Sequence, residues 1–542
     1  MDRRNKRGLA ASNHSSDEPH RESTPPQTLL HPISPPTKKR RLSEQSEQQE
    51  VAGAEQPRSP SKTPSQTFRS PFQLTRIQDL QDEFNKDTIT LNDLLGDPLI
   101  SECWNFNYLH DIDFLMEGFD EDVRDLVNVH VVHGFWRRDS ESKKSLEEKA
   151  SRRKNVTLHA AYLPNMFGTH HTKMLILLRR DDTAQVIIHT ANMIARDWTN
   201  LTQAVWSSPL LPLKQPPTHP PVSAPPATQQ SLSSPPGSGA RFKADLLNYL
   251  QAYGNRCRRI IDELARYDFS AVRGALVASV PGKHSVDAAT TRWGWAGMQQ
   301  ALENVPLSEG ESEVVVQVSS IATLGGTDAW FRRTFCRAIG GGGAAFKVVF
   351  PTADEIRRSL DGYQSGASIH TKTQSAQQAK QLEYLRPVFC HWANDAPEGK
   401  AELGGDMLVK EAGRKRAAPH IKTYVRYGNK SDRSIDWAMV TSANLSKQAW
   451  GEATNAYGEM HIASYEIGVL VWPALFAQDA TMAATFLRDT AQEDSVEDSP
   501  VVALRLPYNL PLQPYGSHEV PWAATAKHTE PDWMGGLWVG HS

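Results

Sequence analysis

The chain has 542 residues, enough for two or more ordinary domains, and its 39% hydrophobic content with 14 Trp allows a large buried core. A formal net charge of −3 argues against a protein whose whole surface grips nucleic acid, while leaving room for a local basic groove. Cys103, Cys257, Cys336 and Cys390 stand far apart with no C-x-x-C spacing, so neither a zinc site nor a disulfide framework is expected, and a reducing compartment fits.

Along the chain, the charged start Met1 to Lys6 lacks the apolar run of a signal peptide, and no stretch approaches the roughly 18 apolar residues of a membrane span. A soluble, intracellular protein without membrane contact is the expectation. Residues 1–83 are rich in Ser, Pro, Gln, Arg and Glu, a composition that cannot offset the entropy of ordering, and read as a disordered tail. Within it, Pro35-Pro36-Thr37-Lys38-Lys39-Arg40-Arg41 has the form of a nuclear import signal, which predicts a location in the nucleus.

A first domain is expected over 84–282, with Leu94, Leu95, Ile100 and Trp104 opening its aromatic-rich part and a Pro-rich insertion at 207–239. Apolar spacing predicts an amphipathic helix over Phe242 to Leu250, and Leu276 to Val280 reads as a buried strand that Pro281-Gly282 ends. The second domain then spans 283–542. Val314 to Val318 and Phe346 to Phe350 are strands by β-branched content, with a helix over Thr327 to Ala338 between them. Lys410 to Ala418 is polar and basic and is expected to loop out. Strands separated by helices in both parts predict an α/β fold with a mixed or parallel sheet in each of two similar domains, facing each other across a pseudo-two-fold axis.

The chemistry lies in a unit that occurs twice. His171-Thr172-Lys173 runs into Met174 to Leu178, followed by Val186-Ile187-Ile188, Thr190-Ala191-Asn192 and Trp198. His420-Ile421-Lys422 is followed by Trp437 to Val440, Ser442-Ala443-Asn444 and Trp450, and in both copies Trp follows Asn by six positions. The triplet alone carries little weight: His370-Thr371-Lys372 matches it, but polar Gln374-Ser375-Ala376-Gln377-Gln378 follows, without a strand or an Ala-Asn element, so it reads as a loop or helix start. In the retained copies His and Lys sit just before or on a strand, where residues i and i+2 share a face. One pocket would then hold two imidazoles, two ammonium groups and two amides. In-line displacement at a phosphodiester needs a nucleophile on one side and a proton donor on the other. Two histidines meet that need, and Lys173, Lys422, Asn192 and Asn444 would hold the nonbridging oxygens. No cluster with metal-ligand spacing competes, and no metal or cofactor is expected.

At these residues the chain resembles the phospholipase D superfamily, and within it the tyrosyl-DNA phosphodiesterases. Superfamily members usually carry Asp five positions after the Lys, whereas here Leu178 and Tyr427 stand there, which is the mark of that branch. Phe106-Asn107-Tyr108, Phe167 to Met174, Phe242 to Leu246, Pro419 to Tyr424, Thr441 to Lys447 and Ser464 to Val469 extend the likeness over most of 84–542. The resemblance implies two phospholipase D-type α-β-α sandwiches sharing one active site. His171 is then the nucleophile that forms a covalent phosphohistidine to the DNA 3′ end. His420 protonates the departing tyrosine phenolate and next activates the water that releases a 3′-phosphate.

The resemblance also makes Gln203 and Glu466 the groups that orient the histidines, without saying which serves which. It implies DNA contacts from Ser319, Ser320, Ile321, Ala322, Thr323 and Ser446, and cleft-lining aromatics at Tyr108, Phe167 and Trp538, for each of which core packing is the alternative. His370 stands where the family often has Pro, and Gln378 where Lys is common. The implied partners are single- or double-stranded DNA carrying a 3′-linked tyrosine or peptide, topoisomerase I adducts among them, met by a monomer. Two other readings are weaker. A phospholipase acting on lipid headgroups lacks the Asp residues, and a silent DNA-binding scaffold would not need His, Lys and Asn intact in both copies.

Overall fold

The computed structural model describes residues 66–135, 140–214, 233–340, 343–395, 409–429, 434–491 and 499–540. The expected tail with its basic cluster, and residues 215–232 of the Pro-rich insertion, lie outside the described residues.

Two mixed sheets carry the fold. The first holds β1 (Gln73–Leu74), β2 (Ile100–Phe106), β3 (Asn128–His133), β4 (Val156–Ala160), β5 (Met174–Arg179), β6 (Thr183–His189) and β7 (Ala204–Ser207), in the order β1-β7-β6-β5-β2-β3-β4. The second holds β8 (Ala275–Ser279), β9 (Glu313–Gln317), β10 (Ala345–Val349), β11 (Phe389–Cys390), β12 (Thr423–Tyr427), β13 (Ile435–Thr441) and β14 (Glu466–Val471), in the order β8-β14-β13-β12-β9-β10-β11. Adding seven to each label of the first sheet gives the second. Directions repeat as well: β2-β3-β4 and β9-β10-β11 run parallel, while every other neighbour pair is antiparallel. The duplication seen in the His-x-Lys…Asn unit therefore extends to both sheets.

Alternation along the strands sorts side chains between cores. Met174, Ile176, Val186 and Ile188 from the first sheet share a core with Val315, Val425, Ala438, Val440, Ile467 and Val469 from the second. Their neighbours Leu175, Leu177 and Ile187 pack outward against Leu94, Leu115 and Leu146, and Val314, Val316, Trp437 and Met439 outward against Met298, Phe331 and Phe335. Leu178 and Tyr427 lie in the shared core at the far ends of β5 and β12, so a carboxylate at either position would be desolvated there.

The helix predicted near Phe242 spans Gly239–Gln251, with Ser238 accepting the Arg241 N–H as its cap, and Phe242, Leu246, Tyr249 and Leu250 enter the shared core. The region predicted helical at Thr327 to Ala338 is helical, with a wider turn over Trp330–Cys336 before Arg337–Gly340.

Four expectations shift. Order starts before 84, since Phe72, Leu74 and Ile77 are buried and β1 extends the first sheet. Strand β8 pairs with β14, so the passage between sheets precedes Pro281-Gly282. Leu211–Pro212 pairs with β6 inside the region read as a Pro-rich insertion, so the sheet extends into it. Lys410 to Ala418 does not loop out: Arg414 is 1% exposed and Ala417 and Ala418 are buried, because this stretch leads directly to His420 and hydrogen-bonds across the fold through Ala418.

Candidate active site

Each His-x-Lys triplet ends one residue before a strand, β5 or β12. The middle residue points the other way: Thr172 Oγ1 meets the Tyr249 hydroxyl at 2.5 Å, and Ile421 enters the shared core. His and Lys are thereby left on one side.

The Thr/Ser-Ala-Asn elements have a second role. Thr190 Oγ1 donates to Gln203 Oε1 at 2.7 Å, and Ser442 Oγ donates to Glu466 Oε2 at 2.6 Å. Each hydroxyl also accepts a backbone N–H, from Ala204 at 3.0 Å and from Ile467 at 2.9 Å. Gln203 and Glu466 are thus fixed the same way in the two halves, and each reaches across to the other half's histidine. Glu466 Oε2 lies 2.9 Å from His171 Nδ1, and Gln203 Nε2 lies 3.0 Å from His420 Nδ1.

Backbone bonds stitch the halves together at the same residues. The His171 N–H donates to Tyr465 O at 3.0 Å and the Tyr465 N–H to Thr169 O at 2.9 Å, while the His420 and Ile421 N–H groups donate to Thr202 O at 3.1 and 2.8 Å. With Nδ1 engaged in both rings, Nε2 is the nitrogen presented to the cleft.

The two Asn side chains stand at the turns that enter short helices, Ala195–Thr199 and Lys447–Trp450. Asn444 Oδ1 accepts the N–H groups of Ser319 and Ser320 at 3.1 and 2.9 Å, which turns its amide nitrogen outward. The Trp six residues on braces each turn by a different route. Trp198 Nε1 donates to Asn192 O, and Trp450 Nε1 donates to the Tyr424 hydroxyl, which itself donates to Ala443 O.

Lys173 and Lys422 are fully buried beneath the histidines. Lys173 Nζ donates to His171 O at 3.1 Å; Lys422 Nζ donates to His420 O and lies 3.3 Å from His420 Nε2. Burial drops Lys173 to about 8, against Glu466 and Asp197, and with Lys173 as neighbour it takes Lys422 well below the usual ammonium value. His420 is held well below an ordinary imidazole by burial and then by Lys422 and Lys173. Burial also lowers His171, against the pull of Glu466. Burial works against charge on Glu466 too, yet His171 keeps it below the usual carboxylate value. An anion placed among these groups would favour their protonated forms.

A cleft of about 500 Å³ collects His171, His420, Asn192, Asn444, Glu466, Ser319, Ser320, Ala322, Ser446, Tyr108 and Phe167. The Tyr108 ring lies 5.7 Å from His171, and Phe167 is 75% exposed. Ile321 and Thr323 line an adjoining recess that shares Ser320, Ala322 and His370 with the cleft. Trp538 does not line the cleft: it is 4% exposed, packs against Trp522, and donates from Nε1 to Ala524 O, so core packing accounts for it.

Three residues at the site escaped sequence reasoning. Asp197 is fully buried with Oδ2 3.3 Å from His420 Nδ1; it accepts the Asn192 N–H at 2.7 Å, and burial pushes its carboxyl up. Arg196, beside it, faces the cleft. His370, set aside with its triplet, pairs in a two-stranded bridge with Ser320 and lines the same cleft. The sequence signal for the first two is their place between Asn192 and Trp198. Among the described residues no group of three His, Cys, Asp or Glu side chains is arranged to hold a metal, and no helix is long and apolar enough to cross a membrane.

Residues 71–516 match the family model for tyrosyl-DNA phosphodiesterase. A Schizosaccharomyces pombe protein named "Probable tyrosyl-DNA phosphodiesterase" is 29% identical over 531 residues, covering 86% of this chain and 95% of that protein. Tyrosyl-DNA phosphodiesterase 1 of Arabidopsis thaliana is 27% identical and covers 88% of this chain and 77% of its own length. In fold, the crystal structure of the yeast tyrosyl-DNA phosphodiesterase aligns with a TM-score of 0.59 at 20% identity, over 83% of this chain and 98% of that one. The chain belongs to the tyrosyl-DNA phosphodiesterase family. It is accordingly a phosphodiesterase, a hydrolase of the phospholipase D-type fold.

Proposed function

We propose that the chain hydrolyses the 3′-phosphotyrosyl bond between DNA and a topoisomerase I-derived peptide, through a phosphohistidine on His171, leaving a 3′-phosphate. Support comes chiefly from the crossed tethers, which give the two imidazoles unlike partners, the Glu466 carboxylate alone for His171, and for His420 the Gln203 amide with the Asp197 carboxylate beside it at 3.3 Å.

In this reading His171 Nε2 attacks phosphorus, the bond from phosphorus to the tyrosine oxygen breaks, and His420 gives that oxygen its proton. Phenolate, with a conjugate acid near pKa ~10, leaves more readily than an alkoxide. Lys173, Lys422, Asn192 and Asn444 hold the nonbridging oxygens as charge builds in the transition state. The phosphorylated His171 ring is cationic while Nδ1 keeps its proton, and Glu466 neutralises it at 2.9 Å. His420, now neutral, takes a proton from water as the water oxygen attacks phosphorus, and His171 leaves. No step calls on a metal or cofactor. Ser319, Ser320, Ala322 and Ser446 contact the DNA backbone, with Ile321 and Thr323 shaping the recess beside them. Tyr108 and Phe167 flank the scissile group. Other 3′-blocking groups that fit the cleft are further substrates, and the enzyme works in the nucleus as a monomer.

A single-turnover assay on a 3′-phosphotyrosyl oligonucleotide in chelator tests this reading. Free tyrosine and a 3′-phosphate end are expected; no cleavage, or a 3′-hydroxyl product, contradicts it.

A further inference from the structure

Beside the histidines and asparagines, the cleft is lined by hydroxyls and an amide from Thr169, Ser446, Gln448 and Ser464, and by the basic side chains of Arg196 and His370 together with Ser368. Arg196 Nη2 donates to Ser368 Oγ at 3.0 Å. An Arg fixed by this bond while its guanidinium lines the cleft suits a carboxylate.

Both basic side chains lie near His420. Arg196 is the neighbour of Asp197, whose carboxylate lies 3.3 Å from His420 Nδ1. His370 is held by its backbone N–H donating to Ser319 O at 2.8 Å, and its charge reaches His420. In an in-line displacement the nucleophile and the leaving oxygen lie on opposite sides of phosphorus. If His420 protonates the leaving oxygen, whatever is attached to that oxygen departs past these residues.

We propose that Arg196, Ser368 and His370 form a basic subsite for the leaving peptide, selecting substrates with Asp or Glu beside the phosphotyrosine. The inference rests on the function proposed above and names the substrate feature that its active site prefers. Arg196 supplies most of the attraction through a two-donor contact to the carboxylate, and His370 adds to it from the Ser320 side.

The test uses the full chain and three oligonucleotides of one sequence, ending in a 3′-phosphotyrosyl peptide with Glu, Ala or Lys on both sides of the tyrosine. A kcat/KM about fivefold higher for the Glu than for the Lys peptide is expected, the scale of one partly exposed ion pair. Arg196→Ala should bring that ratio close to one, and Arg196→Lys should keep part of it. Equal rates for all three peptides in the unaltered chain, or a preference that survives Arg196→Ala, overturns the proposal. If the alanine variant melts early, Arg196→Gln, which removes the charge and keeps most of the length, gives the same reading. Cleavage of none of the three substrates would instead refute the proposed function itself.

Discussion

The two halves share a strand order, strand directions and even the hydroxyl that fixes the group beneath each histidine, and they differ where that group ends. Gln203 carries an amide and Glu466 a carboxylate, each held by its own Thr190 or Ser442 and each touching the opposite histidine. Five residues past Asn, the first half has Asp197 under His420, whereas the second has Ala449. The scaffold is duplicated and the chemistry is not. Unlike partners under like rings are what a reaction with one nucleophile and one proton carrier requires. The crossing also means that neither half holds a complete histidine site alone.

Removing the difference should cost most. Glu466→Gln puts an amide in both tethers and takes the countercharge from a phosphorylated His171; steady-state kcat is expected to fall about 10³-fold, with the protein still folded. A loss under about tenfold would mean the carboxylate is not what sets the halves apart.

Acid should separate the halves next. Burial pushes His110, His170 and His189 of the first half down to about 3, and His130 and His133 to about 4. Unfolded, these rings titrate near ~6.5, so between the two values the unfolded chain binds more protons. Their contribution is full above about pH 6.5 and is lost as pH falls toward 4. The second half has His284 and His420 with the same sign, but His391, between Glu355 and Glu519, is raised against its burial and stabilises in acid. Its share is present below about pH 6.5 and fades as pH rises through its folded value. Hydrogen exchange between pH 7 and pH 5 should therefore loosen first-half peptides before second-half ones. Uniform loosening would contradict the assignment.

A smaller effect should sharpen the His420 side. Asp197→Asn removes a carboxylate that favours the protonated ring, so His420 should lose its proton at lower pH. The alkaline limb of the kcat/KM profile should move down, with a loss of about tenfold at neutral pH. An unmoved limb with lowered activity would reduce Asp197 to a packing role.

What was legible beforehand follows period and repetition. The runs Met174 to Leu178 and Val314 to Val318 and the helix at Phe242 have clear spacing, and each lies where the spacing puts it. The repeated His-x-Lys…Asn unit gave both halves, since only a duplicated strand pair makes that pattern twice. Pairing across the halves was not legible. Gln203 and Glu466 reach a histidine more than 200 residues away, through hydroxyls whose role shows only once β6 lies beside β7 and β13 beside β14. Composition misled at Lys410 to Ala418, where a basic segment is buried by the fold it leads into, and the resemblance misled at Trp538, where the alternative of core packing holds because the second core absorbs the ring. His370 was passed over because a single triplet says nothing of which loop will lie beside it, here Ser320.

The division of labour between the two histidines is tested most directly by trapping. A 3′-phosphotyrosyl oligonucleotide is mixed with His420→Ala and, separately, with His171→Ala, and each reaction is run on a denaturing gel. With His171 as nucleophile and His420 needed to activate water, His420→Ala should accumulate protein covalently joined to DNA while His171→Ala gives none. Loss of activity in both with no adduct from either, or an adduct from His171→Ala, would contradict the account.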